Sequence, residues 1–383
     1  MQGLRLFFKR YANIKKIILV LIICPIVYFS MSATLPLLSV ALSGIAGLST
    51  SVALFDTNIP FLNKVQSNNT YDPEEESSSE TINSPEYVMQ DKPTDAQSVT
   101  QQDPPSTVST QNIPKPENAG TVKPVFYSVE ESNIYLPVAN NTFLKNCTTV
   151  SRDSILGTLK QKPTFKISAN KSPEVLIMHT HATEAYQPFC LDWFDRSYNS
   201  RTTDNTKNTV RVGDEIQKQL ELAGIGVIHN ATQHDYPSYT GAYERSCATV
   251  KDILSKNPSI KVVLDVHRDA IQPNNNTLIA PTAQINGKSA AQVMIISGCD
   301  NGKMNMPKYM ENLKLSSLLQ SQMGADYPGL SRPILFDYRK YNQDLTTGSI
   351  LLEMGGHGNS LEQAIYSGEL VGKALAKSLL TLK

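Results

Sequence analysis

Residues 173–383 predict an α/β fold: a mainly parallel sheet with helices on both faces. Three observations carry this expectation. Short apolar runs (EVLIM, IGVIHN, KVVLDV, QVMIIS, PILF, SILLEM) have strand length and are rich in β-branched residues. Longer amphipathic or apolar segments separate several of them, as the crossovers of parallel strands require. Histidine or carboxylate residues follow directly on, or end, three of the runs, and open α/β sheets bind ligands outside the carboxyl ends of their strands.

The elements follow in order. Pro173 precedes EVLIM, a buried-strand run. Residues 207–223 (KNTVRVGDEIQKQLELA) read as a helix with Val212, Ile216 and Leu220 on one face and Gly224 as its stop. Glu215 within it reads as a solvated carboxylate. IGVIHN is the next strand, and residues 241–256 form a second helix ending before Asn257-Pro258. KVVLDV, QVMIIS, PILF and SILLEM are further strands, and Tyr309–Met323 and Leu361–Leu382 are helices. Residues 121–172 (VKPVFYSV, NIYLPVA) alternate apolar and polar over short stretches and read as a small β-rich lead-in.

The first 120 residues have a different character. Residues 1–16 carry Arg5, Lys9, Arg10, Lys15 and Lys16 and no acid, a local charge of +5. From Ile17 to Phe55 no residue is charged, enough for the roughly 20 apolar residues of a membrane helix. Residues 17–42 therefore read as a transmembrane anchor, with the basic tail 1–16 on the cytoplasmic side and the rest of the chain outside; the alternative is a cleaved signal peptide with Ser30-Met31-Ser32 as a small-x-small site. Residues 43–120 read as an extracytoplasmic linker. Its stretch 66–120 holds ten acids against two lysines, a net −8, and seven prolines; it has too little apolar surface to offset its ordering entropy. The whole chain has a formal net charge of zero and no basic block that would argue for nucleic acid. Cys24 lies in the apolar run; Cys147, Cys190, Cys247 and Cys299 lack C-x-x-C spacing and read as free buried thiols.

All six histidines fall within residues 179–357. EVLIM runs into His179-Thr180-His181-Ala182-Thr183-Glu184, KVVLDV into His267-Arg268-Asp269, and SILLEM carries Glu353 before Gly355-Gly356-His357. Three strand ends thus deliver imidazole or carboxylate to one edge. Two histidines and a carboxylate are a catalytic zinc set that keeps a position open for water. His181, Glu184 and His267 are the expected ligands of Zn2+, with His179 as the alternative first histidine. Glu353 is the expected general base. His179, His234 (in HDYPSY), Arg268 and His357 are expected to line the site or to support the ligands. Arg268 and Asp269 either orient the site or pair with each other. His229 reads as structural.

The segments IMHTHATEAY, TTDNTKNTVRVGDEI, HNATQHDYPSYTGAYERS, KVVLDVHRDA and LLEMGGHGNSLEQA, in this order, resemble stage II sporulation protein P of endospore-forming bacteria. The basic N-terminus, single span and linker resemble that family too. The resemblance implies a zinc amidase-like α/β domain and a zinc-dependent N-acetylmuramoyl-L-alanine amidase acting on peptidoglycan in septal wall thinning and engulfment. It implies a complex with stage II sporulation proteins D and M, location at the cell membrane, and in some members endopeptidase activity. It matches His267 and Glu353 to the second histidine and the catalytic glutamate of the cell-wall amidases. Those amidases take their acidic ligand from the start of a helix, where this chain has Lys207-Asn208-Thr209; Glu184 is the nearest substitute. A zinc carboxypeptidase-like hydrolase and a non-catalytic wall-binding scaffold are the rival readings.

Overall fold

The computed structural model describes residues 113–383; the expected basic tail 1–16, anchor 17–42 and most of the expected linker 43–120 lie outside the described residues. Among the described residues no helix is long and apolar enough to cross a membrane.

The described residues form twelve strands and five helices. The strands are β1 (Ala119–Val125), β2 (Tyr135–Pro137), β3 (Phe143–Asn146), β4 (Pro173–Met178), β5 (Trp193–Asp195), β6 (Gly226–His229), β7 (Val262–Asp269), β8 (Thr277–Ile285), β9 (Lys288–Ala291), β10 (Val293–Gly298), β11 (Ile334–Asp337) and β12 (Ser349–Gly356). The helices are α1 (Arg152–Leu159), α2 (Thr209–Leu222), α3 (Ala242–Lys256), α4 (Tyr309–Asp326) and α5 (Leu361–Leu380). The main sheet runs β2-β3-β11-β10-β12-β7-β4-β6. Its pairings are parallel except β2–β3 and β10–β12, so the predicted mainly parallel sheet is observed. A second sheet, β5-β1-β8-β9, stands beside it. The lead-in is β-rich, and its strands enter both sheets: β1 pairs with β8, and β3 pairs with β11.

Side-chain alternation divides the central strands between two faces. Leu264, Val266, Ile350 and Leu352 point into the main core with Val212, Ile216 and Leu220 of α2 and Val371 and Leu375 of α5. On the opposite face Leu176, Met178 and Val263 pack on Val250 of α3. Helices therefore cover both faces. α2 starts where Asn208 accepts the Val210 N–H, and α5 starts at a capping box between Ser360 and Gln363. Gly368 and Gly372 let α5 approach α2 closely, since a Cβ on Gly372 would lie 2.8 Å from Gln219 Cβ. That approach buries Glu215, which the sequence reading left in solvent. Its Oε1 accepts from Gln219 Nε2 at 2.8 Å and from Lys218 Nζ at 3.1 Å.

The cysteines are free in the described part, as expected. Only Cys299 is buried; Cys147 and Cys190 are exposed, because they lie just beyond β3 and in the loop before β5.

Candidate metal centre and catalytic cleft

β4, β7 and β12 are parallel neighbours, so their carboxyl ends share one edge. The register sets Glu353 beside His267 and Leu351 beside Asp265. Residues two apart share a strand face, so Asp265, His267, Leu351 and Glu353 stand together on the face away from α2 and α5. β4 stops at Met178, and the following loop carries His181 and Glu184 back over this face. Thr209 N, at the start of α2, donates to the Glu184 carbonyl at 2.9 Å. The loop beside that helix start thus supplies a carboxylate where the helix itself begins with Asn208 and Thr209.

His181, Glu184 and His267 form one buried group whose ligand atoms lie within 4.8 Å of each other. His181 Nδ1 is 3.7 Å from Glu184 Oε1, and His267 Nδ1 is 3.6 Å from Glu184 Oε2. Tetrahedral zinc bonds of about 2.0–2.2 Å leave ligand atoms roughly 3.3–3.5 Å apart. The residues present fit such an ion with small adjustment. His181 Nε2 is buried without a hydrogen-bond partner. The ring stacks on Tyr239 at 4.6 Å and meets His267 edge-on at 5.1 Å.

The electrostatics favour a cation. Burial lowers His181 to about 3, leaving a neutral imidazole with a free lone pair. For His267, burial also opposes charge, but Asp265 and Glu184 outweigh it and hold the group well above its ordinary value. Burial pushes Glu184 up, yet His267, Arg268 and His181 together hold it low. Two carboxylates flank the His267 imidazole, with Arg201 3.6 Å from Glu184 Oε1, and an ion held by the three ligands would take the place of the proton on His267. Asp265 Oδ1 lies 2.7 Å from His267 Nε2 but off the direction of a hydrogen bond, for Nε2 has no aligned partner. Asp265 is itself fixed by Thr180, whose N and Oγ1 donate to it at 2.8 and 2.7 Å.

Glu353 faces the same cleft, with a buried Oε2 that lacks any partner. Burial, then Asp269, raises it to about 8, against the opposing pull of His267. The cleft has a volume of about 630 Å³ and contains His181, Glu184, His267, Arg268, Glu353 and His357. Arg268 orients the site: its backbone N donates to Glu184 Oε2 at 3.1 Å, and its guanidinium holds the carbonyls of Ala185 and Ser200 at 2.6 and 2.8 Å. Arg268 and Asp269 do not pair through their side chains. The Asp269 carboxylate accepts from Arg332 at 3.0 Å, because successive residues of β7 face opposite ways.

His179 stands apart from the cluster, which corrects its reading as an alternative ligand. Its Nδ1 is bonded to the Val266 carbonyl at 2.8 Å, and its Nε2 to His229 Nε2 at 2.9 Å. His229 continues to Asp214 at 3.1 Å, a structural role as expected. His234 is also tied up, with Nδ1 on the His179 carbonyl and Nε2 on Thr249 Oγ1, both at 3.0 Å; it braces the loop and does not line the cleft. Asp265 was missed, although its spacing of two from His267 on one strand was the available signal.

Fold and site together define an α/β chain with a buried His–Glu–His cluster at the carboxyl edge of a mainly parallel sheet, and a separate carboxylate opposite it. The chain belongs to the stage II sporulation protein P (SpoIIP) family, whose model matches residues 49–376. It is 32% identical over 232 residues to stage II sporulation protein P of Bacillus subtilis (strain 168), a match over 55% of each chain. The match thus spans about half the length of that curated relative. Among solved structures it is similar to the CwlD amidase of Clostridioides difficile in its complex with the GerS lipoprotein. That similarity has TM-score 0.33 and 13% identity, over 55% of this chain and 98% of that one. It is similar as well to the N-acetylmuramoyl-L-alanine amidase AmiC2 of Nostoc punctiforme, with TM-score 0.32 and 10% identity, over 54% and 96% of the two chains.

Proposed function

We propose that this chain is a zinc-dependent N-acetylmuramoyl-L-alanine amidase that cuts peptidoglycan during endospore formation. The observation that carries the reading is Glu353: a buried, unpartnered carboxylate oxygen in register with His267, in the same cleft as three convergent ligand atoms. His181, Glu184 and His267 would hold the ion. Bound zinc supplies Lewis acidity, making water a better nucleophile and the amide carbonyl a better electrophile. Glu353 takes the proton from the attacking water and returns it to the nitrogen that leaves as the alanine amine. Burial raises its pKa, and a dication held by the three ligands would oppose that rise and keep the carboxylate ionised to take the first proton. Arg268 keeps Glu184 in place through its backbone N–H. The bond cut joins the lactyl carbonyl of muramic acid to the first alanine of the stem peptide.

Anchoring by residues 17–42, extracytoplasmic placement of the catalytic domain, a role in engulfment, and partnership with stage II sporulation proteins D and M belong to the same proposal, and rest on the family resemblance and the charge pattern of the N-terminus. The test is mass spectrometry of purified peptidoglycan digested by the full chain, with and without chelator. Intact stem peptides beginning with alanine, released only without chelator, are expected. Loss of a terminal residue alone would favour the carboxypeptidase reading, and an unchanged wall would favour the scaffold.

A further inference from the structure

The surroundings of the ligand cluster are rich in acceptors. Glu184, Asp265 and Glu353 stand around His267, and an ionised carboxylate only accepts. The guanidinium groups of the cleft are engaged elsewhere. Arg268 holds the Ala185 and Ser200 carbonyls. Arg201 Nη1 donates to Asp235 Oδ2 at 2.9 Å. Arg339 Nε donates to Asp337 Oδ2 at 3.2 Å, and its Nη1 to the Tyr341 hydroxyl at 2.6 Å. Amide hydrolysis nevertheless places a negative charge on the carbonyl oxygen, and a fixed donor aimed at that charge lowers the barrier.

Tyr243 has the attributes of such a donor. It lies in the first turn of α3 and lines the cleft together with His181, His267 and Glu353. The ring is wedged between two others. It meets His181 edge-on, with centroids 5.4 Å apart and planes at 78°, and it stacks on Tyr341 at 5.2 Å. The backbone behind it is pinned, because its carbonyl accepts from Ser246 Oγ at 3.1 Å and from Asn342 Nδ2 at 3.2 Å. Among the described residues no hydrogen bond engages its hydroxyl. Burial holds the phenol well above its ordinary pKa, and Tyr341, Asp265 and Glu353 act in the same direction, so the hydroxyl keeps its proton near neutral pH. Tyr186 also has a buried hydroxyl without a partner, but its ring belongs to the main core and is out of a substrate's reach.

We propose that Tyr243 is a further catalytic residue, whose hydroxyl donates a hydrogen bond to the oxygen of the scissile carbonyl as that oxygen becomes an oxyanion. The inference rests on the amidase reading above. As the water oxygen bonds to the carbonyl carbon, the π pair moves onto the carbonyl oxygen and the water's proton goes to Glu353. Tyr243 shares its own proton and keeps it. The pair then re-forms C=O, the C–N bond breaks, and the nitrogen takes the proton from Glu353. The hydrogen bond is strongest where the charge is greatest, so it favours the transition state over the bound amide.

The test compares the full wild-type chain with Tyr243→Phe, which keeps the ring and its contacts and removes only the hydroxyl. Zinc content and thermal unfolding should be unchanged, since no structural bond is lost. On a soluble muramoyl peptide containing the lactyl–alanine amide, kcat should fall roughly 10–100-fold with KM within about twofold. A phosphinate isostere of that bond, whose tetrahedral anionic oxygens copy the oxyanion, should bind more weakly by roughly the same factor as kcat falls. A structural role would not weaken the phosphinate while sparing KM. Near-normal kcat, or unchanged phosphinate affinity, would overturn the assignment. Loss of zinc or a lowered Tm would overturn it too, by making the hydroxyl a structural group. No hydrolysis by the wild-type chain would overturn the amidase reading and this inference with it.

Discussion

Gly213→Ala is an informative perturbation because its sign depends on the histidine pair behind the site. Gly213 lies inside α2, where alanine is normally better than glycine by about 0.8–1 kcal/mol. A Cβ there would lie 2.7 Å from His229 Nε2 and 2.9 Å from His179 Nε2, against a comfortable separation of about 3.5–4 Å. Neither ring can simply step aside. They are bonded to each other at 2.9 Å, and His179 is held by the Val266 carbonyl at 2.8 Å. Overpacking of this kind costs about 1–3 kcal/mol, and breaking the imidazole pair about 0.5–1.5 kcal/mol more. After the helix gain, a net loss of roughly 1–3 kcal/mol remains, or about 2–5 °C in Tm at about 2.1 cal/mol/K of unfolding entropy per residue. Val266 adjoins His267, so zinc affinity should fall as well. Differential scanning calorimetry and zinc titration on one preparation measure both. An unchanged or raised Tm would refute the packing of His179 and His229 against α2.

Four further outcomes are expected. Purified chain should carry one zinc, lost in His267→Ala and sharply weakened in His181→Ala, as elemental analysis will read; full occupancy in His267→Ala would remove that residue from the site. Asp265→Asn should weaken zinc binding by about 10–100-fold while leaving the fold intact, because the carboxylate that favours His267 as a donor is neutralised; a zinc titration with circular dichroism checks it. Zinc affinity should rise with pH: His267 is held above its ordinary value, so below that raised value the ion must displace a proton, and above it none. Equilibrium dialysis across pH 5.5–8.5, a range set about the roughly 6.5 of free histidine, decides it, and a flat profile would contradict the charge assignment. Protease added to intact protoplasts should remove the C-terminal domain, because the +5 segment before the uncharged run orients the chain with that domain outside; protection until lysis would reverse the orientation.

Helix positions were legible because caps and periodicity agreed: the segments read as 207–223 and 241–256 are observed as Thr209–Leu222 and Ala242–Lys256. His181, Glu184 and His267 were legible for a different reason, since each follows or ends a strand on the side where α/β sheets expose their sites. The second sheet was not read. β5 has three residues, too few to show a period. The β8–β9 hairpin did carry a signal: alternation on both sides of Asn286-Gly287, both with positive φ, is the strongest short-range mark of a hairpin. The burial of Glu215 was invisible, because it follows from glycines on α5, about 150 residues away, that let two helices touch. His234 and His179 misled for the same reason. An imidazole's type and place in the chain do not say whether its nitrogens are already spent on backbone carbonyls.

The most direct test of a hydrolytic site built on Glu353 is Glu353→Gln in the full chain, with zinc content, thermal unfolding, wall pull-down and stem-peptide release measured on one preparation. The substitution keeps the size of the side chain and removes only its ability to take a proton. Metal, fold and wall binding should be retained, and peptide release should fall at least about a hundredfold, the lower end of what a positioned base contributes. Near-normal release with zinc in place would contradict the assignment of Glu353 as the base.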